Sequence, residues 1–160
     1  MYVMAAVNVV DIGGLLNGGR RVVEVRQEVV LEPFDGWSFP SAATVQLEIR
    51  AVARLVDITG VIDVEAAGQC DRCLREISTA MHVDVREQFE AAATFQDDPF
   101  DEGNVLRGER LDVADLSRQL VDSAVPFAVL CDPNCRGLCA NCGQDKNQGE
   151  CACVKLEPME

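Results

Sequence analysis

Residues 43–51 read Ala-Thr-Val-Gln-Leu-Glu-Ile-Arg-Ala, and the alternation of apolar and polar side chains in this stretch decides the fold class. Its apolar residues Val45, Leu47 and Ile49 fall on one face of an extended chain, and the polar residues between them fall on the other. A period of two is typical of a β-strand with one face in a core and one in water. The pattern predicts a long strand over residues 43–56.

Similar stretches lie on both sides of this strand. Residues 22–31 and 77–89 also alternate, and residues 2–10 are largely apolar. The pair Thr59–Gly60 predicts a turn, after which residues 61–66 form a return strand. About six strands joined by short turns imply an antiparallel sheet that is curled or barrel-like.

The polar segments between these strands are predicted to be loops. Residues 32–41 contain two prolines, a glycine and Trp37, the only tryptophan. A tryptophan in such a loop more often plugs the edge of a core than marks a binding surface. Residues 91–104 carry a run of acidic residues without periodicity and are expected to form an acidic loop, which is more often a solvated segment than a docking site.

A short strand and a helix are predicted after the acidic loop. Residues 106–113 form the strand, and the helix covers about residues 115–125, with Asp115 as its N-cap and Pro126 just beyond its end. Its apolar stripe is Leu116, Leu120, Val121 and Ala124. The overall prediction is an α+β fold: a β-rich domain over residues 1–130 with one packed helix, and a Cys-rich tail over residues 131–160.

The composition restricts the classes of partner. A formal net charge of -13 argues against a surface that grips phosphates indiscriminately, because nonspecific nucleic-acid binding depends on Lys and Arg. An acidic surface favours basic partners, or no partner at all. The first residues are apolar but lack a preceding basic region, so we expect no secretory signal and a cytoplasmic location. In that reducing compartment, eight cysteines favour metal binding or redox chemistry over disulfides.

Six of the eight cysteines lie in the tail. Four thiolates can close a tetrahedral zinc site with no open position, which is the pattern of a structural zinc knuckle. We predict that its ligands are Cys139, Cys142, Cys151 and Cys153. A Cys-x-Cys pair is less well suited than Cys-x-x-Cys to bind one ion with both thiolates. Cys135 is therefore an alternative to Cys151 or Cys153 as the fourth ligand.

The other Cys-x-x-Cys, Cys70 to Cys73, lies at the predicted connection between two strands. The sequence also predicts a second zinc site, with Cys70, Cys73, Cys131 and Cys135 as ligands. Two reduced thiols or a redox pair are the alternatives. The neighbouring Arg72 and Arg75 are expected to lower the pKa of these thiols.

The sequence offers little for catalysis. His82, the only histidine, falls on the polar face of a predicted strand, where a solvated role is commoner than a catalytic one. We therefore predict no enzyme and no catalytic residues. Contacts to RNA or to a protein partner would come from two small arginine clusters, Arg20, Arg21 and Arg26 in one and Arg72 and Arg75 in the other.

The cysteine blocks carry a family resemblance. The chain has Cys70-Asp-Arg-Cys-Leu after a strand, then the helix and Pro126, then Cys131-x-x-x-Cys-Arg-Gly-Leu-Cys-Ala-Asn-Cys-Gly-Gln-Asp-x-Asn147 and Cys151-x-Cys153. In this order they resemble the YceD family, the large ribosomal RNA subunit accumulation proteins, over nearly the whole chain.

The resemblance implies a bacterial, non-enzymatic factor that supports accumulation or processing of 23S ribosomal RNA during large-subunit assembly. The implied partners are the large-subunit rRNA precursor, a basic ribosomal protein, or both, with no membrane and no small-molecule substrate. The alternatives are a zinc-dependent thiol redox switch or chaperone and a protein-interaction module for a basic partner.

Overall fold

The computed structural model describes residues 8–92 and 105–153. Most of the strand predicted over residues 2–10 and most of the predicted acidic loop lie outside these ranges. The described elements, in chain order, are β1 (Val9–Asp11), α1 (Gly13–Leu16), β2 (Val23–Val29), β3 (Ala43–Val52), β4 (Leu55–Gln69), β5 (Glu76–Ala92), β6 (Val105–Arg107), β7 (Arg110–Asp112) and α2 (Val113–Ala124).

Five strands form the main sheet in the order β2-β3-β4-β5-β6. Its first four strands pair antiparallel, whereas β6 pairs parallel to β5. Strands β1 and β7 form a separate antiparallel pair. The predicted α+β class with a mostly antiparallel sheet is confirmed. The sheet is open, because its edge strands β2 and β6 do not pair with each other, and it therefore does not close into a barrel.

In residues 43–51 the alternation of apolar and polar side chains matches an alternation of buried and exposed positions. Val45 and Ile49 are fully buried and Leu47 is nearly so, while Gln46 is exposed. The same face of the neighbouring strands adds further apolar side chains, so that one contiguous core lies on one side of the sheet. Its fully buried members on the two central strands include Ile49, Val56, Ile58 and Ile62.

The predicted turn at Thr59–Gly60 is wrong. The chain reverses earlier, at Ala53 and Arg54, and Gly60 lies inside β4 opposite Leu47. Gly60 has a φ of 153°, and a Cβ at this position would lie 2.0 Å from the carbonyl oxygen of Gln46. A glycine within a strand often marks a close approach of another backbone, and Gly60 has this role here.

Strands β4 and β5 continue past the rest of the sheet. Strand β3 pairs with β4 only as far as Asp63, whereas the β4–β5 ladder runs on to Gln69 and Glu76. We call this two-stranded extension, residues 64–69 and 76–81, the arm. Its β4 edge is partly covered, because Ser38 and Ala67 exchange two backbone hydrogen bonds of 2.8 Å. The arm carries the first Cys-x-x-Cys turn at its tip.

Trp37 lies beside the arm, in the loop that the sequence predicts. Its side chain is 6% exposed, which agrees with the predicted role as an edge plug. A Cβ on Gly68 would lie 3.0 Å from the Trp37 ring, so the glycine lets the indole lie directly against β4. The ring therefore supports the arm from one side.

Two short segments differ from the predictions. Residues 13–16, between the first two predicted strands, form a helical turn, so the described part of the chain holds two helices where one was predicted. Helix α1 is anchored by buried Ile12 and Leu15. The strand predicted over residues 106–113 is interrupted at Gly108, whose φ is 80°, and becomes β6 and β7.

The helix α2 packs its predicted stripe onto the core. Leu116 and Val121 are buried and Leu120 is partly buried, but Ala124 is exposed. Its N-cap is Asp112, not Asp115, because the Asp112 carboxylate accepts hydrogen bonds from the backbone N–H groups of residues 114 and 115. No helix in residues 8–92 and 105–153 is long and apolar enough to cross a lipid bilayer.

Candidate metal centres

The two Cys-x-x-Cys turns adopt the same backbone conformation. In the arm knuckle, residues 70–75, the N–H of Leu74 donates to the carbonyl of Cys70, and the N–H of Cys70 donates to that of Arg75, both at 2.9 Å. In the tail knuckle, residues 139–144, the same two bonds form at 2.8 Å. Each turn thus aims two sulfurs to one side, which is how a knuckle presents thiolates to one ion.

The structure brings together the two groups of four cysteines that the sequence predicts. The arm centre comprises Cys70, Cys73, Cys131 and Cys135, and the tail centre comprises Cys139, Cys142, Cys151 and Cys153. Within each centre the four sulfurs lie within 4.8 Å of one another. Cys135 belongs to the arm centre, so the structure does not support it as a replacement ligand in the tail.

The sulfur separations suit a tetrahedral ion. Bonds of about 2.3 Å to zinc place the corners of a tetrahedron about 3.8 Å apart. The Sγ atoms of Cys70 and Cys135 are 3.8 Å apart, and those of Cys73 and Cys131 are 3.5 Å apart. These distances are far longer than a disulfide bond of about 2.05 Å, and all eight cysteines are free thiols. The donor set fits zinc, although metal binding itself stays a prediction.

The two centres differ in exposure. Cys70, Cys73 and Cys135 are at most 7% exposed and form a small cluster with Cys131 and Leu138. In the tail centre Cys142 is exposed and Cys151 is half-buried. The arm centre is therefore the more enclosed of the two.

Hydrogen bonds in the arm centre separate the acidities of its thiols. Backbone N–H groups, first that of Cys131 and then those of Cys73 and Arg72, lower the pKa of Cys70 to about 6 despite its burial. Hydrogen bonding with Cys73, burial, and hydrogen bonding with Cys135 raise the pKa of Cys131 to about 12.

The expected lowering of both arm thiols is wrong for Cys73. The backbone hydrogen bond from Arg75 lowers its pKa, but burial and the thiols of Cys70 and Cys135 outweigh that effect, so the pKa is raised overall. When sulfurs lie this close, a negative charge on one of them raises the pKa of the others. A divalent cation among them would offset this repulsion and lower the pKa of all four thiols.

The tail centre shows the same contrast. The N–H groups of Cys142 and Asn141, followed by the thiol of Cys151, lower the pKa of Cys139 to about 6. The pKa of Cys153 is raised to about 12 by hydrogen bonding with Cys142, by burial and by Cys139. In each centre the first cysteine of the turn is the one whose pKa is lowered.

The tail is attached to the arm through several direct contacts. The N–H of Leu138 donates to the carbonyl of Arg72 at 3.0 Å, and the Arg72 guanidinium donates to the carbonyl of Cys135 at 2.9 Å. Arg75 forms an ion pair of 3.3 Å with Asp145. The residues on both sides of the tail knuckle are therefore in contact with the arm knuckle, and the tail packs against the arm.

Asn147 is a site residue to which the sequence analysis gave no role. Its side-chain amide donates to the sulfur of Cys135 at 3.3 Å, and its side-chain oxygen accepts from the N–H of Arg136 at 2.7 Å. Asp145 fixes it with two hydrogen bonds. The Asp-x-Asn spacing just after the tail knuckle was the available signal, because such side chains often bond to nearby backbone groups.

The five arginines predicted to contact RNA or a partner do not form one patch. Arg21 precedes β2, whose first residue Val23 is aligned through Ile49 with Ile58 of β4. The stretch from Ile58 to the arm tip at residue 69 spans about 35 Å at the rise of a β-strand. The structure therefore separates the cluster of Arg20, Arg21 and Arg26 from Arg72 and Arg75, and contact with RNA stays a prediction for both.

His82 lies on the exposed face of β5, as predicted. Its Nδ1 is 2.6 Å from a carboxylate oxygen of Asp63. That hydrogen bond, together with the charge of Asp63, raises the pKa of His82. His82 and Asp63 therefore form a surface ion pair between β5 and β4. The described contacts of His82 are with the carboxylates of Asp63 and Asp84, and none is with a serine, threonine or cysteine.

The fold and the site together define a class of protein: a β-rich domain that carries two centres of four cysteines each. The sequence model of the family described as "Large ribosomal RNA subunit accumulation protein YceD" matches residues 58–159, which is more than half of the chain. The chain therefore belongs to the YceD family. The match begins within β4 and includes both knuckles, and the family description indicates a role in accumulation of the large ribosomal RNA.

Curated relatives come from mycobacteria. Uncharacterized proteins of Mycobacterium tuberculosis and Mycobacterium bovis are each 31% identical over 101 residues, which is 61% of this chain and 48% of theirs. An uncharacterized protein of Mycobacterium leprae is 27% identical over 115 residues, covering 67% of this chain and 49% of its own. The chain spans about half the length of these relatives. No solved structure matches.

Proposed function

We propose that this chain acts in the bacterial cytoplasm as a non-enzymatic factor in large-subunit assembly, where it supports accumulation of 23S ribosomal RNA. The observation that carries the proposal is the family match over residues 58–159, which spans both knuckles. The cysteine centres agree with it, because centres with four protein ligands leave no open position for a substrate. Their part is to hold a shaped surface at the tip of the arm.

The two centres each hold one zinc ion in this proposal. Four closely placed thiols and N–H···S hydrogen bonds within the turns support zinc over a harder ion such as magnesium, which prefers oxygen ligands. When bound, zinc supplies a structural cross-link. The chain supplies the ligands, and the Asn147 amide and the Arg75–Asp145 pair hold the two turns in register.

Metal content tests this part. We expect two zinc ions per purified chain, one after Cys70→Ser with Cys73→Ser, and one after Cys139→Ser with Cys142→Ser. Each pair removes two ligands of one centre and leaves the other centre complete. Atomic emission measured against protein concentration gives the ratio. A single ion in the unmodified chain, or loss of both ions from either variant, would contradict two separate sites.

The role in assembly is tested by depletion of the protein in its own bacterium. Profiles of rRNA and ribosomal subunits should show less 23S rRNA relative to 16S and a deficit of large subunits. Re-expression of the unmodified chain should restore both, and the two double-cysteine variants should restore less. Unchanged 23S levels and normal subunit ratios after depletion would refute the role.

The immediate partner is the large-subunit rRNA precursor or a basic ribosomal protein. The charge of -13 favours the protein, whereas the separated arginine clusters limit RNA contact to small areas. Cross-linking in cells distinguishes the two: RNA attached to Arg20, Arg21 and Arg26 or to Arg72 and Arg75 supports direct contact. A protein-interaction module would give cross-links to ribosomal protein without RNA.

A thiol redox switch is the second candidate, and the exposure of Cys142 in the tail centre favours it. An accessible ligand can be oxidised, which would release the metal and free the tail. Peroxide at concentrations that leave other proteins intact should then release one zinc ion. Full retention of zinc with all thiols unmodified would exclude the switch.

A further inference from the structure

A groove of about 710 Å³ lies beside the arm knuckle. One wall is the turn at Asp35–Trp37, the floor is the arm tip with Asp71 and Leu74, and the other wall is the end of α2 and residues 125–129. Asp71 fixes the last wall, because its backbone and its carboxylate bond to the backbone of Val129. The groove also adjoins the arm centre directly, because Cys70 lines the groove and belongs to that centre.

The groove exposes large apolar side chains. Phe127 is 109% exposed, so it is as accessible as in an extended chain, and Leu74 is 58% exposed. Among the described residues that line the groove there are three aspartates, Asp35, Asp71 and Asp122, and no lysine, arginine or histidine. Apolar side chains rimmed by one sign of charge are typical of a site for an oppositely charged partner.

Leu74 is also strained. It follows the second cysteine of its turn, where the tail knuckle has Gly143 with a φ of 72°, and it adopts a φ of 58°. A β-carbon in this left-handed region costs roughly 1 kcal/mol, which glycine avoids. The leucine therefore occupies a glycine position with its side chain largely in water, and folding alone does not account for it. A strained residue of this kind suggests a binding function.

We propose that the groove binds an extended basic segment of a partner protein, with an aromatic or aliphatic side chain packed between Leu74 and Phe127 and flanking lysines or arginines against the three aspartates. Charge complementarity and the two exposed anchors select this occupant. The inference deepens the proposed function, on which its biological meaning rests, by naming the surface and the partner chemistry.

The probe is a short peptide of alternating lysine or arginine with leucine and phenylalanine, labelled with fluorescein for anisotropy. A control peptide has serine in place of leucine and phenylalanine. Trp37 lines the groove and is the only tryptophan of the chain, so its emission reports binding of the unlabelled peptide directly. The full zinc-loaded chain is used throughout.

Two variants remove the anchors. Phe127→Ala and Leu74→Gly should each weaken binding about tenfold. Leu74→Gly should at the same time raise the unfolding temperature, because it relieves the left-handed strain. If Leu74 had only a structural role, Leu74→Gly would not lower peptide affinity while raising the unfolding temperature. Asp35→Asn with Asp122→Asn should weaken binding about threefold, mainly at low salt.

Matched controls lie away from the groove. Val52→Ala removes another exposed apolar side chain, at the end of β3, and Glu24→Gln removes an exposed charge on β2. Both should bind the peptide as the unmodified chain does. Unchanged affinity of Phe127→Ala and Leu74→Gly, or equally tight binding of the serine control peptide, would overturn the proposal. A dimer in sedimentation that Phe127→Ala dissociates would also overturn it, because a second copy would then be the occupant.

Failure of the groove is distinguishable from failure of the proposed function. If depletion lowers 23S rRNA but Phe127→Ala and Leu74→Gly bind the peptide as tightly as the unmodified chain, the role in assembly stands and the groove proposal is overturned. If depletion leaves rRNA unchanged but the anchors control peptide binding, the role fails and the groove remains a site for basic segments.

Discussion

Gly60 is the residue at which a single methyl group would disturb the sheet most directly. A Cβ there meets the backbone of Gln46 at 2.0 Å, and its φ of 153° disfavours any other residue. We expect Gly60→Ala to lower the free energy of unfolding by at least about 3 kcal/mol, since it combines backbone strain with overpacking. Urea denaturation followed by circular dichroism measures the loss.

Gly18 provides the matched control for this substitution. It also has a positive φ, 73°, but nothing lies within 4 Å of the added Cβ. Gly18→Ala should therefore cost only about 1 kcal/mol, from the left-handed conformation alone. Equal losses at the two positions would show that contact with β3 is not the cause.

Asn147 tests the contribution of a residue that touches a sulfur of the proposed arm zinc site without being one of its four ligands. Asn147→Asp keeps the shape, removes the N–H donor and places a carboxylate beside the sulfur of Cys135. We expect the zinc affinity of the arm centre to fall about tenfold to a hundredfold. Competition with a chromophoric chelator measures this, with the tail-centre affinity as an internal reference.

Asn134→Asp makes the same change of charge one position from Cys135. The Asn134 side chain is exposed, and only its backbone N–H has a described hydrogen bond, to Asp132. Its zinc affinity should stay within about threefold of the unmodified chain, because exposed charges are screened. A drop as large as that of Asn147→Asp would assign the effect to charge and not to the hydrogen bond.

At the scale of elements, the start of α2 distinguishes a helix cap from a neighbouring acidic residue. The Asp112 carboxylate accepts bonds of 3.0 Å from the N–H groups of Ala114 and Asp115. Asp112→Ala should lower the free energy of unfolding by about 1 kcal/mol. Asp115→Ala loses only a favourable first-turn charge and a surface bond to Gln119, and should cost about half as much. Denaturation curves that rank the two variants the other way would restore Asp115 as the cap.

The strands that alternate were predictable because burial has the same period as the backbone. The stretch of residues 43–51 became β3, and residues 22–31 and 77–89 contain β2 and most of β5. The turn predicted at Gly60 was wrong because glycine occurs both in turns and where two backbones approach closely. Nothing in the sequence indicates that the carbonyl of Gln46 lies opposite Gly60. The cap was misplaced because Asp112 and Asp115 satisfy the same local rule.

The grouping of cysteines was predictable for a different reason. Eight thiols in order, with two Cys-x-x-Cys turns, leave few ways to make two groups of four. What the sequence could not give is the docking of the tail on the arm, which depends on Leu138 reaching Arg72 and on Arg75 reaching Asp145. Nor did it indicate that Leu74 and Phe127 border one groove, since these residues are far apart in the chain.

At the scale of the molecule, the described residues divide into two clusters of different chemistry. The buried members of the large cluster are aliphatic side chains, most of them from the main sheet and α2, and none of them is a cysteine. The small cluster is Cys70, Cys73 and Cys135 with Cys131 and Leu138 packed against it. Hydrophobic burial can hold the first, but the second has too little apolar area to fold without a cross-link.

Chelation should therefore loosen one end of the protein and leave the other intact. After zinc removal we expect backbone amides in residues 131–153 and at the arm tip to lose protection in hydrogen–deuterium exchange. Amides of β3 and of the paired part of β4 should keep theirs, because their side chains lie in the aliphatic core. Re-addition of zinc serves as the control and should restore protection. Loss of protection throughout β3 and β4 would mean that the metal centres stabilise the sheet as well. The knuckles would then be required for the whole fold and not only for the surface at the end of the arm.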